Sequence, residues 1–310
     1  MSASTDNQSA FGAGPGVGAG VAARRKSVVI TASSGWRPID FAEIWKYRHL
    51  LFILAARDLK MRYKQTALGV AWAIIQPLVT MLVFTVLFRS LMSGALPSTG
   101  DVPYAISTCG SLIVWYLFST SMFKSSNSLI SNASLITKLY FPRLLIPVAP
   151  VLSGLVDFLI GFCVVVGLIV YYHFGTVDYT FHFRWALLTL PVFILLALAT
   201  TLALALWFSA LNAIYRDVKY MTPLITQVLM FATPVVYAAE HVTKRLEPWQ
   251  VTIYGLNPLV GVVEGFRWAL LGSGRPPGGL ILLSTLGVTV LLIGGLYYFR
   301  RMERRFVDLI

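Results

Sequence analysis

Six stretches of this chain run for 20 residues or more without a single Asp, Glu, Lys or Arg: residues 65–88, 102–123, 158–177, 185–215, 220–239 and 276–299. About 20 apolar residues wound as a helix span ~30 Å of hydrocarbon, so each stretch is long enough to cross a bilayer. Apolar residues make up 57% of the 310 and charged residues 12%, against the ~45–50% and ~25% usual in soluble domains. The expected fold is therefore an all-α integral membrane protein with six transmembrane helices. The third crossing is expected to start early, near Leu144, with Asp157 inside it. A seventh stretch, 248–263, has 16 residues, contains Asn257-Pro258 and runs straight into Glu264 and Arg267. It is expected to form a short re-entrant helical hairpin sheltered by the other helices.

The placement of Lys and Arg orients the bundle. With six crossings and both termini on one side, that side holds 19 of the 25 basic residues and a net charge of +12, and the other side is neutral. The positive-inside rule makes the charged side cytoplasmic. The basic balance thus reports topology, and no nucleic acid is needed to explain it.

Residues 1–35 are rich in Gly, Ala and Ser and are expected to form a disordered cytoplasmic tail; no apolar segment of signal-peptide type follows Arg24-Arg25-Lys26. Residues 36–64 are read as an amphipathic helix. Phe41, Ile44, Trp45, Leu51, Phe52, Ala55 and Leu59 recur at mostly helical spacing and Arg57, Lys60 and Lys64 lie on another face, as in a helix in the headgroup plane; a plain juxtamembrane anchor is the alternative. Residues 65–310 form the transmembrane domain. On the cytoplasmic side two loops remain: 124–143, which opens with a Ser/Asn-rich stretch at 125–132 and can hold short helices outside the membrane, and 209–221.

The chain offers little chemistry of its own. No Gly-Lys dipeptide occurs, so the phosphate-binding G-x-x-x-x-G-K-[ST] loop is missing. His49, His173, His182 and His241 lack metal-ligand spacing. Cys109 and Cys163 both lie in apolar runs and suggest neither disulfide nor metal. Asp157 is the one acid deep in a crossing, and a lone acid there pairs with a neighbouring helix more often than it carries protons. Gly261-x-x-x-Gly265 is expected to be a close-packing face, and Glu264 and Arg267, three apart, are expected to pair. Pro77, Pro147, Pro150, Pro223 and Pro234 predict kinks. Trp45, Trp72, Trp185 and Trp249 suit an interfacial belt. Trp115, Tyr116 and Phe118 lie inside the second crossing and are candidates to line a pathway, with Trp72 and Tyr237.

Four ordered blocks carry a family resemblance. They are residues 57–72 followed by Gln76-Pro77-Leu78; Lys138-Leu139-Tyr140-Phe141-Pro142-Arg143; Arg216-Asp217-Val218 with Gln227, Pro234 and Tyr237; and Asn257-Pro258-Leu259 with Glu264 and Arg267. Together with the ending from Tyr298-Phe299-Arg300 to Ile310, they resemble ABC-2 type permeases of polysaccharide and polyol-phosphate export, over about residues 40–310. The resemblance implies a non-catalytic homodimeric channel subunit in the bacterial inner membrane, joined to two copies of a separate ATPase subunit that holds the ATP and Mg, with no cofactor on this chain. It implies a lipid-linked glycan as cargo, O-antigen or capsule foremost. By the same likeness, Arg57, Asp58, Lys60 and Arg62 belong to a cytoplasmic interface helix. Lys138, Phe141, Pro142, Arg143, Arg216 and Asp217 would couple to the ATPase, and Asn257, Pro258, Glu264 and Arg267 would hold the re-entrant hairpin. Teichoic acid, a drug or a small lipid remains an alternative cargo. A stand-alone carrier should show internal repeats and several buried charges, and a glycosyltransferase clustered carboxylates; neither pattern is present.

Overall fold

The computed structural model describes residues 41–64, 66, 69–91, 102–175, 184–272, 278–303 and 306; the expected tail at 1–35 lies outside them. The described residues form α1 (Phe41–Lys46), α2 (Arg48–Tyr63), α3 (Ala71–Leu91), α4 (Tyr104–Ser131), α5 (Ala133–Lys138), α6 (Leu145–Gly175), α7 (Leu190–Ile214), α8 (Val218–Ala232), α9 (Ala239–Thr243), α10 (Pro248–Leu256), α11 (Pro258–Leu271) and α12 (Gly278–Met302), with a 3-10 turn at Trp185–Thr189 leading into α7.

Helix α4 is the axis of the molecule and packs against α3, α6, α7, α8 and α11. Its mean hydropathy is 1.3, against 2.2 to 2.4 for α6, the 185–214 element and α12, and 78% of its most apolar window is buried against 33% or less in those three. A helix kept away from lipid need not be apolar all round. Accordingly α4 carries Ser107, Thr108, Ser111, Ser121, Ser125, Ser126 and Ser128 inside the bundle.

Among the described residues, four elements are long and apolar enough to cross a membrane: α4, α6, the 185–214 element and α12. Helix α6 includes Asp157, and the early start near Leu144 holds. The 220–239 stretch is not one helix. α8 ends at Ala232 after 15 residues, about 22 Å of rise, because Thr233 precedes Pro234 and is driven to an extended conformation (ψ 140°). Pro77, Pro150 and Pro223 do lie inside helices. Helix α3 runs for 21 residues, about the length of a crossing.

Two further readings change. Residues 41–63 form two helices, because the chain turns at Tyr47; Ile44, Tyr47, Leu50 and Leu51 thereby all reach one apolar cluster. The Ser/Asn-rich stretch continues α4 as far as Ser131, and its hydroxyls satisfy themselves on the helix or its neighbours. Ser125 Oγ donates to the Pro147 carbonyl at 2.8 Å, Ser128 Oγ to the Ser125 carbonyl at 2.6 Å, and Ser126 Oγ lies 3.2 Å from Thr222 Oγ1.

The glycine pair is a close-packing device with two different partners. A Cβ on Gly261 would sit 2.6 Å from the Ser284 side chain on α12, and one on Gly265 would sit 2.0 Å from the Phe193 ring on α7. Between α10 and α11 the chain breaks at Asn257-Pro258. Asn257 Oδ1 caps α11 by accepting from Leu259 N at 3.1 Å, and Pro258 takes the first helical position.

Candidate functional site

Two regions at opposite ends of α4 collect most of the residues singled out in the sequence. At the end that the charge pattern assigns to the cytoplasm, α2 lies against α6, burying Leu54 and Ala55 beside Ala149. Its polar face is not a free basic stripe. Arg57 Nη2 donates to Asn132 Oδ1 at 2.7 Å and pairs with Asp58 at 3.2 Å. Arg62 pairs with Asp157, which also accepts the Tyr63 hydroxyl. Lys60 is exposed. Since Asn132 is the junction between α4 and α5, Arg57 fastens α2 to the hinge of the element that precedes Lys138. Asp157 pairs with a neighbouring helix, as its sequence context suggests.

The 138–143 segment divides by exposure. Lys138 is exposed, and Leu139 and Tyr140 are 56% and 73% exposed. Phe141 is 8% exposed and packs with Leu129, Ile136, Leu145, Leu206, Phe299 and Phe306. Pro142 is buried. Arg143 donates to the Glu303 carbonyl, next to the Arg300–Glu303 pair at 2.6 Å. Phe141 and Arg143 therefore anchor the segment to the chain's own core, and the projecting surface is Lys138, Leu139 and Tyr140. Arg216 and Asp217 are exposed on the turn between α7 and α8. Just before that turn Asn212 Nδ2 holds the Ser126 carbonyl at 2.8 Å and Asn127 Oδ1 at 3.2 Å.

At the opposite end, the unwound residues after α8 are fully accounted for. Every carbonyl from Phe231 to Tyr237 has a donor. Tyr237 OH takes Phe231 O at 2.9 Å, Asn257 Nδ2 takes Ala232 O at 3.2 Å, and Val235 N takes Thr233 O at 2.7 Å. Arg267 takes Pro234 O at 2.6 Å, Val235 O at 3.3 Å and Tyr237 O at 3.1 Å, and Tyr104 OH takes Val236 O at 2.8 Å. Arg267 also pairs with Glu264 at 3.0 Å and reaches Ser111 Oγ at 2.7 Å, and Glu264 accepts Ala239 N at 2.5 Å. Only 3% of the Arg267 side chain is exposed. The planar fork of a guanidinium, with five donors, suits this role, and irregular backbone at membrane depth requires such satisfaction. Asn257, Glu264, Arg267 and Tyr237 are thus brought together, with Pro258 beside them.

The pathway candidates separate. Trp115 and Phe118 are buried in a cluster with Leu112, Met122, Val235, Val236 and Leu259, so within this chain they pack the core. Tyr116 is half-buried, its hydroxyl 2.8 Å from Thr80 Oγ1 on α3. Trp72 is exposed.

The family model described as ABC-2 type transporter matches residues 49–271, most of the chain. The chain belongs to the ABC-2 type transporter family. Its curated relatives span nearly their whole length on it. The O-antigen export system permease protein RfbA of Myxococcus xanthus is 29% identical over 252 residues, covering 81% of this chain and 91% of the relative. A protein of the same name from Klebsiella pneumoniae is 25% identical over 261 residues, covering 84% and 95%. The polysialic acid transport protein KpsM of Escherichia coli is 23% identical over 252 residues, covering 81% and 92%. Within this ABC-2 transporter, reasoning from sequence missed Asn132, Tyr104 and Ser111, whose signal is only a polar residue in an apolar helix. It also missed the exposure of Leu139 and Tyr140 beside a buried Phe141.

Proposed function

We propose that this chain is the channel-forming subunit of an ATP-driven exporter that moves a lipid-linked polysaccharide, O-antigen or capsule foremost, across the inner membrane. The observation that carries this reading is that relatives named for O-antigen and for polysialic acid both align over about four fifths of the chain and nine tenths or more of their own length. Two copies of the chain form the channel, with both termini cytoplasmic. Helices α3 and α8 complete six crossings, and their exposed apolar faces (Trp72, Val79, Leu82 and Val86; Leu224, Val228 and Phe231) meet lipid or the second copy. The α10–α11 pair enters the membrane from the outer side as the re-entrant hairpin.

Energy comes from two copies of a separate ATPase chain that binds ATP and Mg; the missing phosphate-binding loop in this sequence supports that division. The projecting Lys138-Leu139-Tyr140 tip and the Arg216-Asp217 turn are the docking elements. Closure of the ATPase pair pushes the tip. The push passes through α5 to its hinge at Asn132, and from there through Arg57 to α2 and through Phe141 and Arg143 to α6 and α12. Deleting the gene for this chain tests the reading. The expected result is lipid-linked glycan retained on the cytoplasmic leaflet and restored to the surface by the intact chain. Normal surface glycan in the deletion strain refutes the proposal.

A further inference from the structure

A small cleft opens between α3, α4 and α6 where the end of α2 meets them. Its polar lining is Arg62, Gln76, Tyr116, Thr120 and Asp157, and its apolar walls include Pro77, Ile113, Leu117 and Phe158; the volume is about 30 Å³. The residues that α4 contributes, Ile113, Tyr116, Leu117 and Thr120, recur at helical spacing, and the next residue of that face is Lys124. Lys124 is half-buried and lies within electrostatic reach of Arg62 and Asp58. Among the described residues, Arg62 is paired with Asp157 and Arg57 with Asp58, whereas Lys124 has no ion pair. The five charges Arg57, Arg62, Lys124, Asp58 and Asp157 leave a net +1.

A half-buried ammonium without a counter-ion is held at a cost that an incoming anion removes. A compact ammonium with three donors suits a phosphate oxygen. Position narrows the ligand further. Lys124 immediately follows the charge-free run 102–123, at headgroup depth, and the apolar walls continue toward the hydrocarbon, where an attached chain would lie. A soluble anion has no use for those walls. The space inside holds about one water, so the anionic head sits at the mouth, between Lys124 and Arg62, and goes no deeper.

We propose that the mouth of this cleft binds the phosphate of a membrane lipid, with Lys124 as its principal ligand and Arg62 beside it. The site goes beyond the export reading and stands whatever the cargo is. Its phosphate comes either from a polyprenyl carrier of the kind that bears glycans or from a resident anionic phospholipid.

The test uses the full chain in phosphate-free maltoside micelles, titrated separately with polyprenyl phosphate, phosphatidylglycerol and inorganic phosphate, with native mass spectrometry counting bound molecules. The expected result is saturable binding of one lipid phosphate per chain, weakened about tenfold or more by Lys124→Gln, the scale of one charged hydrogen bond. Lys124→Arg should restore most of it, and Lys219→Gln, a change to a lysine on another element, should have no effect. Tighter binding of polyprenyl phosphate identifies the carrier as the occupant; tighter binding of phosphatidylglycerol identifies a resident lipid; both outcomes support the site. Lys124→Gln should melt no lower than wild type in lipid-free micelles, because it removes an unpaired charge. Three outcomes overturn the proposal: Lys124→Gln binds both lipids as wild type does, inorganic phosphate binds as tightly as either lipid, or Lys124→Gln melts well below wild type and so reveals an internal partner.

Discussion

Arg267 illustrates how far one side chain can organise a membrane fold. All of its guanidinium nitrogens are engaged, and three of its acceptors are carbonyls that no helix serves. Arg267→Met is expected to cost about 3–5 kcal/mol, since it strands Glu264 and those carbonyls in a buried site; thermal unfolding in micelles measures the loss. Arg267→Lys should recover little, because an ammonium lacks the planar fork. The 138–143 segment separates anchoring from contact. Phe141→Ala empties a packed cluster and should lower stability by about 3–5 kcal/mol. Tyr140→Ala should leave the melting temperature unchanged and lower glycan export per ATP hydrolysed by the assembled complex; unchanged export by that variant removes Tyr140 from the coupling surface. The pairing of Glu264 with Arg267 was legible in their spacing of three. The buried place of Phe141 was not, because its partners Leu206, Phe299 and Phe306 lie 65 to 165 residues away in sequence.

Among the four apolar spans, the lowest hydropathy belongs to the most central. Helix α4 carries its serines and threonines inside the bundle, whereas α12 is apolar apart from Ser284, Thr285 and Thr289 over most of its length. Close approach is set by small residues. Gly265→Ala drives a methyl into the Phe193 ring and should destabilise by about 1–3 kcal/mol. Gly167→Ala on α6, where nothing lies within 4 Å, should be neutral or stabilising; comparing the two melting temperatures checks both. The long charge-free runs made α4, α6, α7 and α12 readable from sequence, and the Gly261–Gly265 spacing signalled a packing face. The end of α8 was not readable, because absence of charge says nothing of the Thr233-Pro234 break, and the donors that make the break tolerable come from α4 and α11. In the 124–143 segment, a short helix was legible, and α5 is one; that the Ser/Asn stretch continues α4 was not, because its hydroxyls find partners only after folding.

For the whole molecule, the proposed orientation and the proposed energy coupling are tested together. A cysteine at Ser134 should be labelled from the cytoplasm and one at Arg245 from outside, in a background without Cys109 and Cys163; both positions are exposed in the fold. Ser125, though on the same side as Ser134, is buried in the α4 contact and makes a poor probe. Under the proposed function, the lateral path from the Leu139–Tyr140 tip through Asn132, Arg57 and α2 would give a separate ATPase a mechanical hold on helices of the channel. The most direct measurement of that account is reconstitution of the chain in liposomes, with and without its ATPase partner, loaded with lipid-linked glycan in one leaflet. The expected result is glycan appearing in the opposite leaflet only when both proteins and hydrolysable ATP are present. Glycan crossing at the same rate without the partner or without ATP, or no crossing by a complex that hydrolyses ATP in the presence of that glycan, contradicts it.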